Sequence, residues 1–137
     1  MPNLEITNID SGSFEIKEGQ FEDDILTFAG AGTIGADGKA VILARDSVSL
    51  KLVPYVKGGA TNENGIPKAM LTYAVVTAGA GDVSVRVMLA GSGSFERAMI
   101  HADLDNSNID KVVIDEVRQF AKINIIKEQE LSSLDNQ

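Results

Sequence analysis

Few residues in this 137-residue chain have the types and spacing that chemistry needs. His101 is the single histidine. A histidine works as base, acid or metal ligand only when a partner orients it, and the nearest carboxylates are Asp103 and Asp105. Asp103-x-Asp105-x-Ser107 has the opening spacing of a calcium loop. Asn108, however, stands where the sharp turn needs glycine, and Ile114 stands where the twelfth position needs a carboxylate. Asp and Asn ahead of a helix serve turns and caps, so no metal is expected there. Ser92 and Ser94 lie among glycines but outside a G-x-S-x-G elbow, with no second histidine to activate them. Asp23 and Asp24 are adjacent carboxylates without an apolar pocket to separate their pKa values. Gly30-Ala31-Gly32-Thr33-Ile34-Gly35 matches G-x-G-x-x-G letter for letter. The dinucleotide fingerprint needs a helix to open at its end and meet the pyrophosphate. Here a turn, Ala36 to Lys39, and a strand-like run, Val41 to Ala44, follow instead. The motif therefore reads as a glycine-rich loop between strands. No catalytic residue, cofactor or metal is expected, and the chain is not read as an enzyme.

The elements that position these residues belong to one domain, since a chain of this length buries roughly two thirds of its unfolded surface. Hydrophobic residues make up 44% and aromatics only 5%, with no Trp, so the core is aliphatic and Ala-rich. A formal charge of −8 argues against nucleic acid, which needs clustered Lys and Arg, and against anionic membranes. No run approaches the roughly 20 apolar residues of a membrane span, and no charged-then-apolar start reads as a signal peptide. With no Cys there are no disulfides and no thiolate metal sites. The charge is uneven. Residues 1–30 carry seven acids against Lys17 alone, whereas residues 31–100 carry five acids and seven bases.

The chain is organised around Lys68 to Leu89, two apolar runs joined by Ala78-Gly79-Ala80-Gly81. In the second run Val83, Val85, Val87 and Leu89 alternate with Ser84, Arg86 and Met88, the period of a half-buried strand. The first run, Ala69 to Thr77, is rich in β-branched and aromatic residues, and the glycines favour an antiparallel hairpin. Pairing Val75 with Val85, Tyr73 with Val87 and Leu71 with Leu89 makes one face continuously apolar. Further strands are expected over Val41–Asp46, Ser49–Val56 and Phe95–Ala102, with loops at 57–67 and at Gly91 to Ser94. Ile109, Val112, Val113, Val117 and Phe120 fall at helical spacing and predict a helix at about 108–121, with Ser107 and Asp110 as a capping box. Ile123 to Lys127 reads as a last strand, followed by a polar tail over 129–137. The fold class is thus mainly β with one C-terminal α-helix. Residues 1–24 form an extended acidic arm and residues 25–128 the β-rich domain.

The order and spacing of several blocks resemble the lambda-type head decoration proteins of tailed bacteriophages. The blocks are Ala31-Gly32-Thr33, Ile42 to Asp46, Lys51 to Tyr55, Val85 to Gly91, Phe95-Glu96-Arg97, the Ile109–Phe120 helix and Ile123 to Ile126. The resemblance implies a β-clip fold and a structural capsid decoration, or cement, protein. It implies a homotrimer made in the host cytoplasm and seated on the outer surface of the virion capsid, where it stabilises contacts between major capsid proteins. In that family the amino-terminal arm contributes to attachment. Here Leu4, Ile6, Ile9, Phe14 and Ile16 are the apolar residues of the acidic arm and the candidates for capsid contact. Two features depart from the family pattern: Lys122 stands where a glycine C-cap is expected, and the acidic start is longer. The alternative is a small surface-displayed β module binding glycans or adhesive partners through the 57–67 loop, next to Tyr55.

Overall fold

The computed structural model describes residues 20–127. Five strands close into a ring: β1 (Gln20–Phe28), β3 (Ala40–Arg45), β4 (Leu52–Pro54), β5 (Pro67–Leu71) and β7 (Gly81–Ser94). β1 lies beside β4, β4 beside β3, β3 beside β5, β5 beside β7, and β7 returns to β1. The domain is therefore small and mainly β, a closed barrel-like sheet with a single C-terminal helix. Closure leaves no long edge inside the ring for other chains to pair with. A separate two-stranded ribbon joins β2 (Gly32–Ile34) to β6 (Val75–Thr77). Two short additions lie parallel to the ring: β8 (Ala98–Met99) on β3, and β9 (Ile123–Ile126) on the far end of β7.

Alternation along the strands divides the core in two. Leu26, Val41, Leu43, Ala69, Leu71, Val85 and Val87 belong to one cluster, the interior of the ring. Ala40, Ile42, Ala44, Met70 and Met88 point the other way, into a second cluster under the helix and β9. This explains why Ala40 to Ala44 are buried without a break: β3 is covered on both faces. The face predicted for Val83, Val85, Val87 and Leu89 is realised, since Val85 and Val87 line the first cluster and Val83 and Leu89 pack against it.

The expected hairpin forms only in part, with β5 antiparallel to β7 in a shifted register. β7 takes β1 as its main partner, with Val85 opposite Asp24 and Val87 opposite Glu22. The first apolar run splits. Its β5 half meets β7 only at Met70 opposite Met88, and its β6 half pairs with β2, placing Val75 opposite Ile34. At the split the Tyr73 hydroxyl accepts from the Arg86 backbone N–H at 2.9 Å, filling a ladder position that no strand occupies. Nor is Gly91 to Ser94 a turn. β9 supplies a parallel partner and β7 runs on through Ser94. Phe95–Arg97 is a 3₁₀ turn capped by the Ser94 side chain, and the strand after it spans only Ala98–Met99. The ring begins at Gln20, so residues 20–24, grouped with the arm in the sequence reading, pair with β7.

The helix starts later than expected. Ser107 bonds back to Asp105, its N–H at 3.0 Å and its hydroxyl at 2.7 Å from Oδ1, and so is not the cap. Asp110 is the cap, accepting from the Val113 N–H at 3.0 Å, and α1 spans Lys111–Glu116. A π-helical turn, Val117–Ala121, continues it. Lys122 then stops the helix in the left-handed region at φ 60° and ψ 34°.

Candidate functional site

The residues singled out for chemistry are dispersed. No hydrogen bond joins His101 to Asp103 or Asp105, and among the described residues no group of three or more His, Asp or Glu is placed to hold a metal. The His101 Nδ1 is buried without a hydrogen-bond partner. Asp103 serves a turn, its N–H donating to the Ile100 carbonyl at 3.1 Å. Asp23 and Asp24 project from β1 into separate ion pairs, with Arg86 at 3.2 Å and Arg45 at 2.6 Å. Leu4, Ile6, Ile9, Phe14 and Ile16 lie outside the described residues.

The 57–67 loop is pinned from several sides. Val56 N–H donates to the Asn64 carbonyl at 2.9 Å, and Thr61 N–H reaches Asn64 Oδ1 at 3.3 Å. A Cβ at Gly65 would sit 2.4 Å from the Gly59 carbonyl oxygen, so Gly65 is required by close backbone approach, while one at Gly59 would displace the Asn64 side chain, whose Oδ1 would lie 2.2 Å away. Tyr55, the aromatic nearest this loop, is fully buried. Its hydroxyl faces Glu116 Oε1 at 3.5 Å, and burial together with that carboxylate pushes its pKa up to about 12. Tyr55 is therefore core and offers no ring for a sugar to stack on.

One cleft gathers several of these segments. It has a volume of about 480 Å³, within the range of small-ligand and short-peptide sites. Its lining includes the Phe28–Ile34 segment, which holds most of the glycine-rich motif, and Val53, Pro54 and Val56. As the sequence predicts, no helix follows the motif; β2 lies inside it and β3 after it. Asp46, Thr61, Asn64 and His101 complete the lining. The Asp46 Oδ1 accepts from the N–H groups of Val48 at 2.8 Å and Ser49 at 2.9 Å, and Oδ2 from Asn62 Nδ2 at 3.3 Å. Hydrogen bonds from Ser49 and Val48 hold this carboxyl below the usual carboxylate range, so it is an anion at neutral pH. Sequence reasoning identified the Gly30–Gly35 motif, His101 and the 57–67 loop separately. It could not bring them together, because their meeting depends on how β1, β4 and the ribbon are arranged.

Compared with known proteins, the chain matches no family model and no curated sequence.

Proposed function

We propose that the protein is a structural capsid decoration protein of the β-clip kind, a homotrimer that binds the outer surface of a mature phage head and stabilises contacts between major capsid proteins. The observation that carries this reading is where the resembling blocks fall. Ile42–Asp46, Lys51–Tyr55, Val85–Gly91 and Phe95–Arg97 supply most of β3 and β4, the pairing half of β7 and the 3₁₀ turn. The Ile109–Phe120 and Ile123–Ile126 blocks supply α1 with its π turn and then β9. Most of the weak blocks thus fall on regular elements, three of the five ring strands, the helix and β9, which supports reading them as one fold pattern.

The surface suits such a role. Val48 (74% exposed) and Leu50 (66%) crown the turn between β3 and β4, while Val112 (63%), Phe120 and Ile126 lie exposed along the helix and β9. Exposed apolar side chains at both places are compatible with a subunit that contacts its own copies and a shell. Three linked copies multiply a weak individual contact through effective concentration, so tight decoration needs no strong single site. The arm residues Leu4, Ile6, Ile9, Phe14 and Ile16 precede β1 in sequence and contribute to attachment in this reading.

Light scattering during size-exclusion chromatography, with and without purified empty heads, tests the proposal. The expected result is a trimer that co-elutes with heads at saturating stoichiometry. Deleting residues 1–18 is expected to leave the trimer intact and abolish head binding. A monomer indifferent to heads would overturn the reading.

A further inference from the structure

The cleft beside the glycine-rich segment has a property that the decoration reading does not use. Ala29, Gly30 and Ala31 lie between β1 and β2, and none of their backbone groups bonds to another described backbone group. They form a short stretch of unpaired N–H and C=O groups along an apolar trough. Phe28 and Ile34, both nearly buried, and Val53, Pro54 and Val56 line the same cleft. A Cβ built on Gly30 or Gly32 meets nothing within 4 Å, so a backbone can approach this wall without obstruction. Asp46 lines the same cleft. Its carboxylate accepts only from uncharged donors, the Val48 and Ser49 N–H groups, Asn62 Nδ2 and the Ser49 hydroxyl, and no described basic side chain pairs with it. Its negative charge is thus not neutralised by any described cation, and a basic group entering the cleft would meet it.

We propose that this cleft is a docking groove for an extended peptide segment in which a basic residue is followed by apolar ones. The peptide backbone pairs with the free groups of Ala29 to Ala31, as an added strand pairs with a sheet edge, and its apolar side chains enter the trough. The basic head reaches the Asp46 carboxylate as a charge-assisted contact. The far wall is pre-ordered: Ser47 N–H donates to the Asn62 carbonyl at 3.0 Å and Val56 N–H to the Asn64 carbonyl at 2.9 Å, so little ordering is left to do on binding. The inference stands on the cleft alone and does not depend on the capsid reading.

The test uses the full chain, isotopically labelled, and two capped tetrapeptides, acetyl-Lys-Val-Thr-Val-amide and its counterpart with Glu in place of Lys, followed by ¹H–¹⁵N NMR. Titration with the Lys peptide is expected to shift the amides of Ala29 to Thr33, Val48, Ser49 and Asn64. At low salt its affinity should exceed that of the Glu peptide by roughly tenfold, with the gap narrowing as salt is raised. Gly30→Leu adds a bulky side chain at a cleft-lining position without left-handed backbone, and should abolish the shifts while leaving the rest of the spectrum in place. Asp46→Asn keeps an Oδ1 acceptor for Val48 and Ser49, and should level the two peptides. The proposal fails if neither peptide perturbs these amides at millimolar concentration, if the two bind equally to the unaltered chain, or if the shifts persist in Gly30→Leu.

Discussion

Gly30 and Gly35 open and close the same six-residue motif, yet the fold needs them for different reasons. Gly35 sits at φ +89°, and a Cβ there would come 2.5 Å from the Tyr73 carbonyl oxygen. Gly30 has open space and an ordinary backbone conformation. Gly35→Ala is therefore expected to lower stability by about 2 kcal/mol, through backbone strain plus displacement of the 73–75 segment. Gly30→Ala should stay within about 0.5 kcal/mol of the unaltered chain. Urea unfolding midpoints of the two variants, measured side by side, check this; equal losses would show that the clash at Tyr73 is absent. The letters of the motif were plain in the sequence, but nothing local distinguishes the glycine that is sterically required from the one that merely leaves space. The distinction comes from Tyr73, a residue on another strand connection. His101 teaches a similar lesson. Its rarity drew attention as a chemical group, but the fold buries its Nδ1 and sets it in a cleft wall.

At the scale of elements, periodicity identified faces more reliably than partners. The inward set Val83, Val85, Val87 and Leu89 was legible because alternation is a property of one strand. The identity of the neighbouring strand was not, because β1 pairs with β7 across a long sequence separation and no short pattern records that choice. The glycine-rich join between the two apolar runs suggested a hairpin, and the Tyr73 hydroxyl instead took the ladder position at Arg86. The end of the helix was partly legible: Lys122 was noted as standing where a glycine cap is usual, and it does adopt the left-handed conformation. Left-handed backbone costs a side-chain-bearing residue roughly 1–2 kcal/mol, part of which is offset by the greater freedom of glycine when unfolded. Lys122→Gly is thus expected to raise stability by about 0.5–1 kcal/mol. Calorimetry would show this as a higher melting temperature, and an unchanged or lower one would mean that the Lys122 Nζ contact with the Gln119 carbonyl, at 3.1 Å, outweighs the strain.

At the scale of the whole molecule, ion pairs tie the ring together. Arg45 on β3 reaches over to Asp24 on β1 at 2.6 Å and also donates to the Leu50 carbonyl at 2.9 Å. Asp82 at the start of β7 accepts from Thr27 at 2.7 Å and pairs with Lys51. The Arg45 hydrogen bond holds the Asp24 carboxyl below its ordinary value, and Lys51 does the same for Asp82. A folded pKa below the unfolded one contributes stability above the unfolded value, near pH 4, and loses it as pH falls through the folded value. Stability should accordingly decline below about pH 4. Asp24→Asn should cost about 0.5–1 kcal/mol at pH 7, and should converge with the unaltered chain at pH 2. Urea titrations at pH 7, 5, 3 and 2 test this, and a constant gap between the two proteins across that range would contradict it.

What the sequence by itself determined was local or compositional. The chain reads as one mainly β domain, with an aliphatic core because aromatics are scarce, a single C-terminal helix and an apolar face on the Val83–Leu89 strand. These follow from residue types and their period, which the chain carries wherever it is placed. Only the tertiary structure decided that five strands close into a ring, that β3 is buried on both faces, that Gly91 to Ser94 extend a strand, and that Asp46, Asn64 and His101 share a cleft with the glycine-rich segment. Each of these depends on long-range pairing, in which the free energy of a contact belongs to two distant segments at once and leaves no signature in either alone.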